Sequence, residues 1–177
     1  MRNGFKVIDA DAHFIEPADI WDKYIEKEYY DRRPRVAKVW GKELFEYKDG
    51  ETQPMSRASV AFDQMESKFG HAYRDNWSME SRLKDMEHEG WDIQVCLPTN
   101  GFKAGGFSAA IVEWDAGLSS AMCRAYNNWA YEFASGAPGR VKFTSVVPGP
   151  SIEDMVAETK RSVEELGAVS IVLPMAI

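Results

Sequence analysis

The sequence predicts an α/β fold built on a parallel sheet, and three observations carry that expectation. Short apolar runs at Ile93–Leu97, Val141–Val147 and Val169–Leu173, with an opening strand at Val7–His13, alternate with segments of helical periodicity. The runs at 93–97 and 169–173 are apolar almost throughout, the pattern of strands buried from both faces of a parallel sheet. Finally, 177 residues with 45% hydrophobic and 28% charged content are ordinary for a folded domain. A chain this long hides roughly 70% of its unfolded surface. We read residues 1–177 as one domain.

The elements follow in order. Val7 to His13 alternates strictly, which sends Asp9, Asp11 and His13 to one face and Ile8, Ala10 and Ala12 to the other. Ile20, Trp21, Tyr24 and Ile25 then form a helical face behind the start at Pro17. Residues 31–77 break the pattern. Pro34, Gly41, Gly50, Pro54 and Gly70 punctuate them, and Val36–Trp40 with Glu43–Tyr47 suits a small hairpin around Gly41–Lys42. This stretch reads as an insertion or lid. Ser81–Glu89 is helical and stops at Gly90. Pro98 ends the 93–97 strand, and a glycine-rich loop runs from Thr99 to Phe107. Ile111–Ala134 is a long helix with Met122, Tyr126, Trp129, Ala130 and Phe133 along one core-facing stripe. Ile152–Leu166 is an amphipathic helix opened by Ser151 and stopped by Gly167.

Composition excludes several function classes. The net charge of −7 lacks the basic surface of a nucleic-acid binder. No apolar run approaches the roughly 20 residues that span a bilayer, and the first residues carry acids where a signal peptide is apolar. Cys96 and Cys123 are too few for a disulfide scaffold and read as reduced, buried thiols of a cytoplasmic protein. No Gly-x-x-x-x-Gly-Lys phosphate loop is present between Gly101 and Gly106, and no serine lies in a nucleophile elbow.

In parallel α/β folds, function collects at the carboxyl ends of the strands. Here only the first such end carries strong ligand chemistry. Asp11 and His13, two apart on a strand, project to one side, where an oxygen and a nitrogen can reach one ion. The same pair is equally well a structural hydrogen-bonded couple. Glu16 follows in the loop, as a partner supporting the site or a substrate contact. Asp9 lies one layer deeper and reads as a satisfied internal polar residue. Asn100, Phe102 and Lys103 follow the second strand and could line a substrate pocket; Arg57 and Arg74 could pair with a substrate carboxylate. His71 reads as a surface or pocket-rim residue. His88, near a helix C-terminus, is favoured there by the helix dipole.

Val-Ile-Asp-Ala-Asp-Ala-His-Phe-Ile-Glu-Pro (7–17) resembles the opening strand of the amidohydrolase-related family, in the branch that includes aminocarboxymuconate-semialdehyde decarboxylase. Three further stretches are similar to it. They are Arg82–Met86 through Glu89-Gly90-Trp91-Asp92 to Thr99; Cys123-Arg-Ala-Tyr-Asn-Asn-Trp129; and Pro138-Gly139-Arg140 to Pro148 with Glu158 to Pro174. The resemblance leaves out roughly residues 30–75.

It implies half of a (β/α)8 barrel, strands one to four with their helices, and a divalent metal at the C-terminal face. The family's first strand supplies H-x-H or E-x-H; the matching positions here are Asp11 and His13, with Asp a departure that shortens the reach. Zn²⁺ suits such an N/O site, and so does a harder ion such as Mn²⁺. The family's remaining ligands, a His after the fifth strand and an Asp after the eighth, have no counterpart. Four strands leave raw edges and uncovered apolar surface; a complementary chain or second copy that completes the barrel is the favoured expectation, with a truncated product or an open sheet as the alternatives.

The implied activity is hydrolysis of a C–N, C–O or C–C bond, or non-oxidative decarboxylation of an aromatic or unsaturated acid. Asp11 and His13 would hold the metal, Glu16 would take the catalytic supporting role, and the substrate would be a small carboxylic acid. A non-catalytic scaffold or regulatory half-barrel is the alternative, and a small flavodoxin-like binding domain a third reading.

Overall fold

The computed structural model describes residues 4–39, 42–46, 52–54, 70–72, 74–101 and 116–174. Its main sheet has four parallel strands: β1 (Ile8–His13), β5 (Ile93–Leu97), β6 (Val141–Val146) and β7 (Ser170–Val172), adjacent in that order. In sequence, the segment between β1 and β5 forms a separate antiparallel sheet of β2 (Arg35–Val39), β3 (Lys42–Glu46) and β4 (Thr52–Pro54). In it, Val39 pairs with Lys42 across the short connection that the Gly41–Lys42 signal predicts. The helices are α1 (Ile20–Tyr24), α2 (Met79–Glu89), α3 (Ala116–Ser135) and α4 (Ile152–Lys160). A 3₁₀ turn at Lys27–Arg32 follows α1, and a π-helical turn at Arg161–Glu165 extends α4.

The Ser151 cap and the Gly90 stop follow the sequence signals, whereas α2, capped by Ser78, begins two residues before its expected start at Ser81. Ser78 and Ser151 accept N–H bonds from Ser81 and Asp154, opening α2 and α4. Gly90 ends α2 in the left-handed conformation that only glycine adopts without a steric penalty.

Strands consecutive in both sequence and space, joined by crossovers of one hand, put their helices on a single face. This is the wall of a barrel, as the resemblance implies. The covered face carries the core. Ala12, Cys96 and Phe143 are in register across three strands and buried, and Phe14, Met86, Met122, Tyr126 and Trp129 pack with them. Phe14 meets Trp129 and Phe133 edge-on, with ring centroids 5.3 and 5.4 Å away. The opposite face is uneven. Thr144 and Val146 on β6 are fully buried there, yet Ile8 on the edge strand is 56% exposed.

One sequence expectation fails on β1. Asp9 pairs with Gln94 and Ala12 with Cys96, three steps against two, so β1 carries an extra residue between them. The extra residue reverses the alternation. Asp9 and Ala12 share the helix-covered face, while Asp11 and His13 lie on the other. Asp9 is therefore not a member of the Asp11–His13 face. Its carboxylate accepts from Gln94 Nε2 (3.1 Å) and from the Asp11 N–H (3.1 Å), as suits a satisfied polar residue.

Candidate functional site

Asp11 and His13 end β1 at the carboxyl edge of the sheet. His13 Nε2 lies 3.9 Å from Asp11 Oδ1, and both side chains reach solvent. His13 Nδ1 lies 3.0 Å from the Pro98 carbonyl oxygen and 3.3 Å from Thr99 Oγ1. A carbonyl oxygen can only accept, so this bond places the proton on Nδ1 and the lone pair on Nε2, the nitrogen that faces Asp11. The donor set of one imidazole nitrogen and one carboxylate oxygen suits Zn²⁺ or Mn²⁺. The 3.9 Å separation is less than twice a metal–ligand bond of about 2.0–2.2 Å, so both atoms can share one ion. Among the described residues, no group of three or more His, Cys, Asp or Glu side chains forms a fuller ligand set.

Glu16 lies beneath the turn that follows β5. Its side chain is 1% exposed, and its carboxylate accepts three consecutive backbone N–H groups from the turn after β5. Thr99 and Gly101 donate to Oε1 at 2.8 and 3.0 Å, and Asn100 donates to Oε2 at 2.8 Å. Burial pushes this carboxyl above the ordinary 4.5, against the pull of the backbone N–H groups that face it. With both oxygens engaged inside the protein, Glu16 does not offer an open acceptor to a substrate.

Asn100 is buried in the same turn. Phe102, Lys103 and Arg57 lie outside the described residues, and Arg74 is exposed. His71 is on the surface and pairs with Asp85 at 2.9 Å. His88 is exposed at the end of α2. Both thiols are buried, and burial pushes Cys96 up to about 11, far from a nucleophile's range.

Sequence reasoning gives Arg82 no role of its own, yet it ties β1 to β5 beside the site. Its Nη2 donates to the His13 carbonyl at 2.7 Å and its Nη1 to Gln94 Oε1 at 2.9 Å, with the guanidinium 5.4 Å from the Phe14 ring centre. An arginine on an amphipathic helix ordinarily faces solvent, and no spacing in the sequence marks this one as turned inward. Beside it, a pocket of about 230 Å³ opens along β1, lined by Asp9, His13, Trp77, Arg82, Asp85 and Trp91. That is smaller than the roughly 300–1,000 Å³ of ordinary ligand clefts.

Solved structures similar to this chain share its fold. An amidohydrolase from Mycobacterium avium subsp. paratuberculosis K-10 superposes with a TM-score of 0.69 at 16% identity, over 96% of this chain and 50% of that one. A 2,6-dihydroxybenzoate decarboxylase, solved with 2,6-dihydroxybenzoate, gives 0.51 at 14% identity over 96% and 39%. A dihydroxybenzoic acid decarboxylase from Polaromonas sp. JS666, solved with manganese and the inhibitor 2-nitroresorcinol, gives 0.50 at 13% identity over 97% and 38%. The chain thus spans half the length of the first and less of the other two, and these likenesses establish the half-barrel fold. No curated protein matches the chain. The family model described as Amidohydrolase matches residues 8–176, nearly the whole length, and the chain belongs to that family.

Proposed function

We propose that this chain carries the first-strand part of a metal-dependent amidohydrolase-type active site, with Asp11 and His13 as ligands to one divalent ion. The observation that carries the reading is the pairing of Asp11 Oδ1 with His13 Nε2 at 3.9 Å, with Nδ1 tied to the Pro98 carbonyl. Metal-binding histidines commonly donate their second ring nitrogen in this way, which fixes ring and tautomer and strengthens the ligand. Zn²⁺ is the leading ion and Mn²⁺ the second. A bound ion of this kind polarises a carbonyl or carboxylate, or activates a water. The chain's own part is to present two oriented donors and to hold the neighbouring turn with Glu16. The reaction class we favour is hydrolysis of a C–N, C–O or C–C bond, or non-oxidative decarboxylation of an aromatic or unsaturated acid.

Two donors do not complete a catalytic metal site, which ordinarily takes three protein ligands. We propose that further ligands come from a second half-barrel, in a complementary chain or a second copy, that closes on the edge of β1. The 56% exposure of Ile8 on that edge supports this. The small ligand set also keeps a second reading in view: a half-barrel that serves as a non-catalytic scaffold, with Asp11 and His13 as a remnant polar pair.

Metal analysis separates the two. The chain purified from its own source should hold about one divalent ion per site. The His13→Ala variant should lose it while keeping its circular dichroism spectrum, because the His13 side chain is 43% exposed and its removal opens no core cavity. Unchanged metal stoichiometry in the variant would refute the assignment.

A further inference from the structure

Glu16 is a wholly buried carboxylate with no cation among its bonded partners in the described residues; its oxygens accept from three successive main-chain N–H groups of one turn. The turn that those groups belong to begins at Pro98, and Pro98 supplies the carbonyl that His13 Nδ1 meets. Thr99, whose N–H donates to Glu16, also places its hydroxyl 3.3 Å from the same ring nitrogen. The far side of the turn is closed as well, because Gly101 lies against the ring of the fully buried Tyr126. Below it, the Phe14 N–H donates to the Leu97 carbonyl at 2.9 Å, which joins the segment carrying Glu16 to the strand that leads into the turn.

We propose that Glu16 is a positioning residue for His13: it clamps the 98–101 turn so that the Pro98 carbonyl holds the imidazole with Nδ1 protonated and Nε2 presented beside Asp11. This rests on the metal reading given above and names a mechanism within it. Only a carboxylate supplies the acceptors that this turn needs. An ionised carboxylate has acceptor capacity for all three N–H groups. A glutamine of the same shape has one acceptor oxygen and one NH₂ donor, so at least one turn N–H would face another donor. Inside a buried site that mismatch is costly, and the turn must move to relieve it. The Pro98 carbonyl moves with it.

The first test needs no metal. The full chain is labelled with ¹⁵N-histidine and its ring nitrogens are read by NMR at pH 8, well above the ordinary histidine value of about 6.5. The three histidines of the chain are told apart by the spectrum of His13→Ala. In the unaltered protein His13 should be the Nδ1–H tautomer. In Glu16→Gln it should shift to a mixture with the Nε2–H form. Titration with Zn²⁺ alone should show a loss of affinity of about 10–100-fold, the usual effect of removing a group that orients a ligand.

Glu158→Gln is the control: another buried carboxylate, bonded to Arg161 and Asn127 on the far side of α3, it should leave the His13 tautomer and Zn²⁺ affinity unchanged. If Glu16→Gln does not fold, Glu16→Asp keeps the charge but withdraws it by one methylene, and the same tautomer shift is expected. A folded Glu16 variant with an unchanged His13 tautomer overturns the proposal. Absence of a divalent ion from the chain purified from its own source overturns the metal reading instead, and the tautomer comparison still decides the role of Glu16.

Discussion

Replacing Gly101 with alanine would drive a methyl group into the ring of Tyr126. The added Cβ would lie 2.4 Å from both Cδ2 and Cε2, where ordinary contact begins near 3.4 Å. The ring has no room to withdraw. Tyr126 is fully buried, its centroid is 5.9 Å from that of Trp129, and its hydroxyl reaches the Thr144 carbonyl at 3.5 Å. The turn must give way. Overpacking of this kind costs about 1–3 kcal/mol. Moving the turn also loosens the Gly101 N–H bond to the Glu16 carboxylate, of a class worth about 1.5–3 kcal/mol.

One displacement relieves the clash and strains the bond, so the two costs do not simply add, and we expect a loss of about 2–4 kcal/mol. Urea unfolding followed by circular dichroism measures it. Gly139→Ala is the internal control: an added Cβ there meets nothing within 4 Å, and its cost should stay within about 0.5 kcal/mol. Equal stability of Gly101→Ala and the unaltered chain would refute the close packing of this turn, and with it the account of how the site is held.

Two further outcomes are expected. Arg124 donates two hydrogen bonds to Glu26 and lowers that carboxyl below its ordinary 4.5. A lowered folded value means that the unfolded chain binds the proton more readily. The contribution is therefore present above pH 4.5 and lost as pH falls through the lowered value. Because both side chains are part-exposed, Glu26→Gln should cost no more than about 1 kcal/mol near neutrality, and the difference from the unaltered chain should vanish in acid. As for the thiols, Cys96 and Cys123 are buried and pushed upward by burial, so an aromatic disulfide reagent at pH 8 should label neither in the native protein and both after unfolding. Prompt labelling of either would mean that the core around α3 and β5 opens readily.

Much of the frame is legible in the sequence because its signals are local. Ile93–Leu97 is apolar and ended by a proline, and it forms a strand with those bounds. Ser151 caps a helix through its own side chain, and Gly90 stops one because its φ of 76° suits no other residue as well. The stripe of Tyr126, Trp129 and Phe133 packs on the core by helical periodicity alone. The β1 alternation misled for an equally definite reason. A period-2 pattern assumes one residue per pairing step, and the extra residue between Asp9 and Ala12 is a property of the pairing with β5, which lies more than eighty residues away.

The sequence by itself determined the alternation of strands and helices, the Ser151 cap and Gly90 stop, and the presence of Asp11 and His13 at the end of the first strand. Those depend on backbone preference, side-chain periodicity and residue identity, all carried within a few neighbouring positions. Only the tertiary structure decided which face those two residues share, that Glu16 is buried under the Thr99–Gly101 turn, and that Arg82 joins β1 to β5. Each of these is a contact across roughly 12 to 85 residues of chain, set by register and packing, and such contacts arise only when the distant segments are brought together.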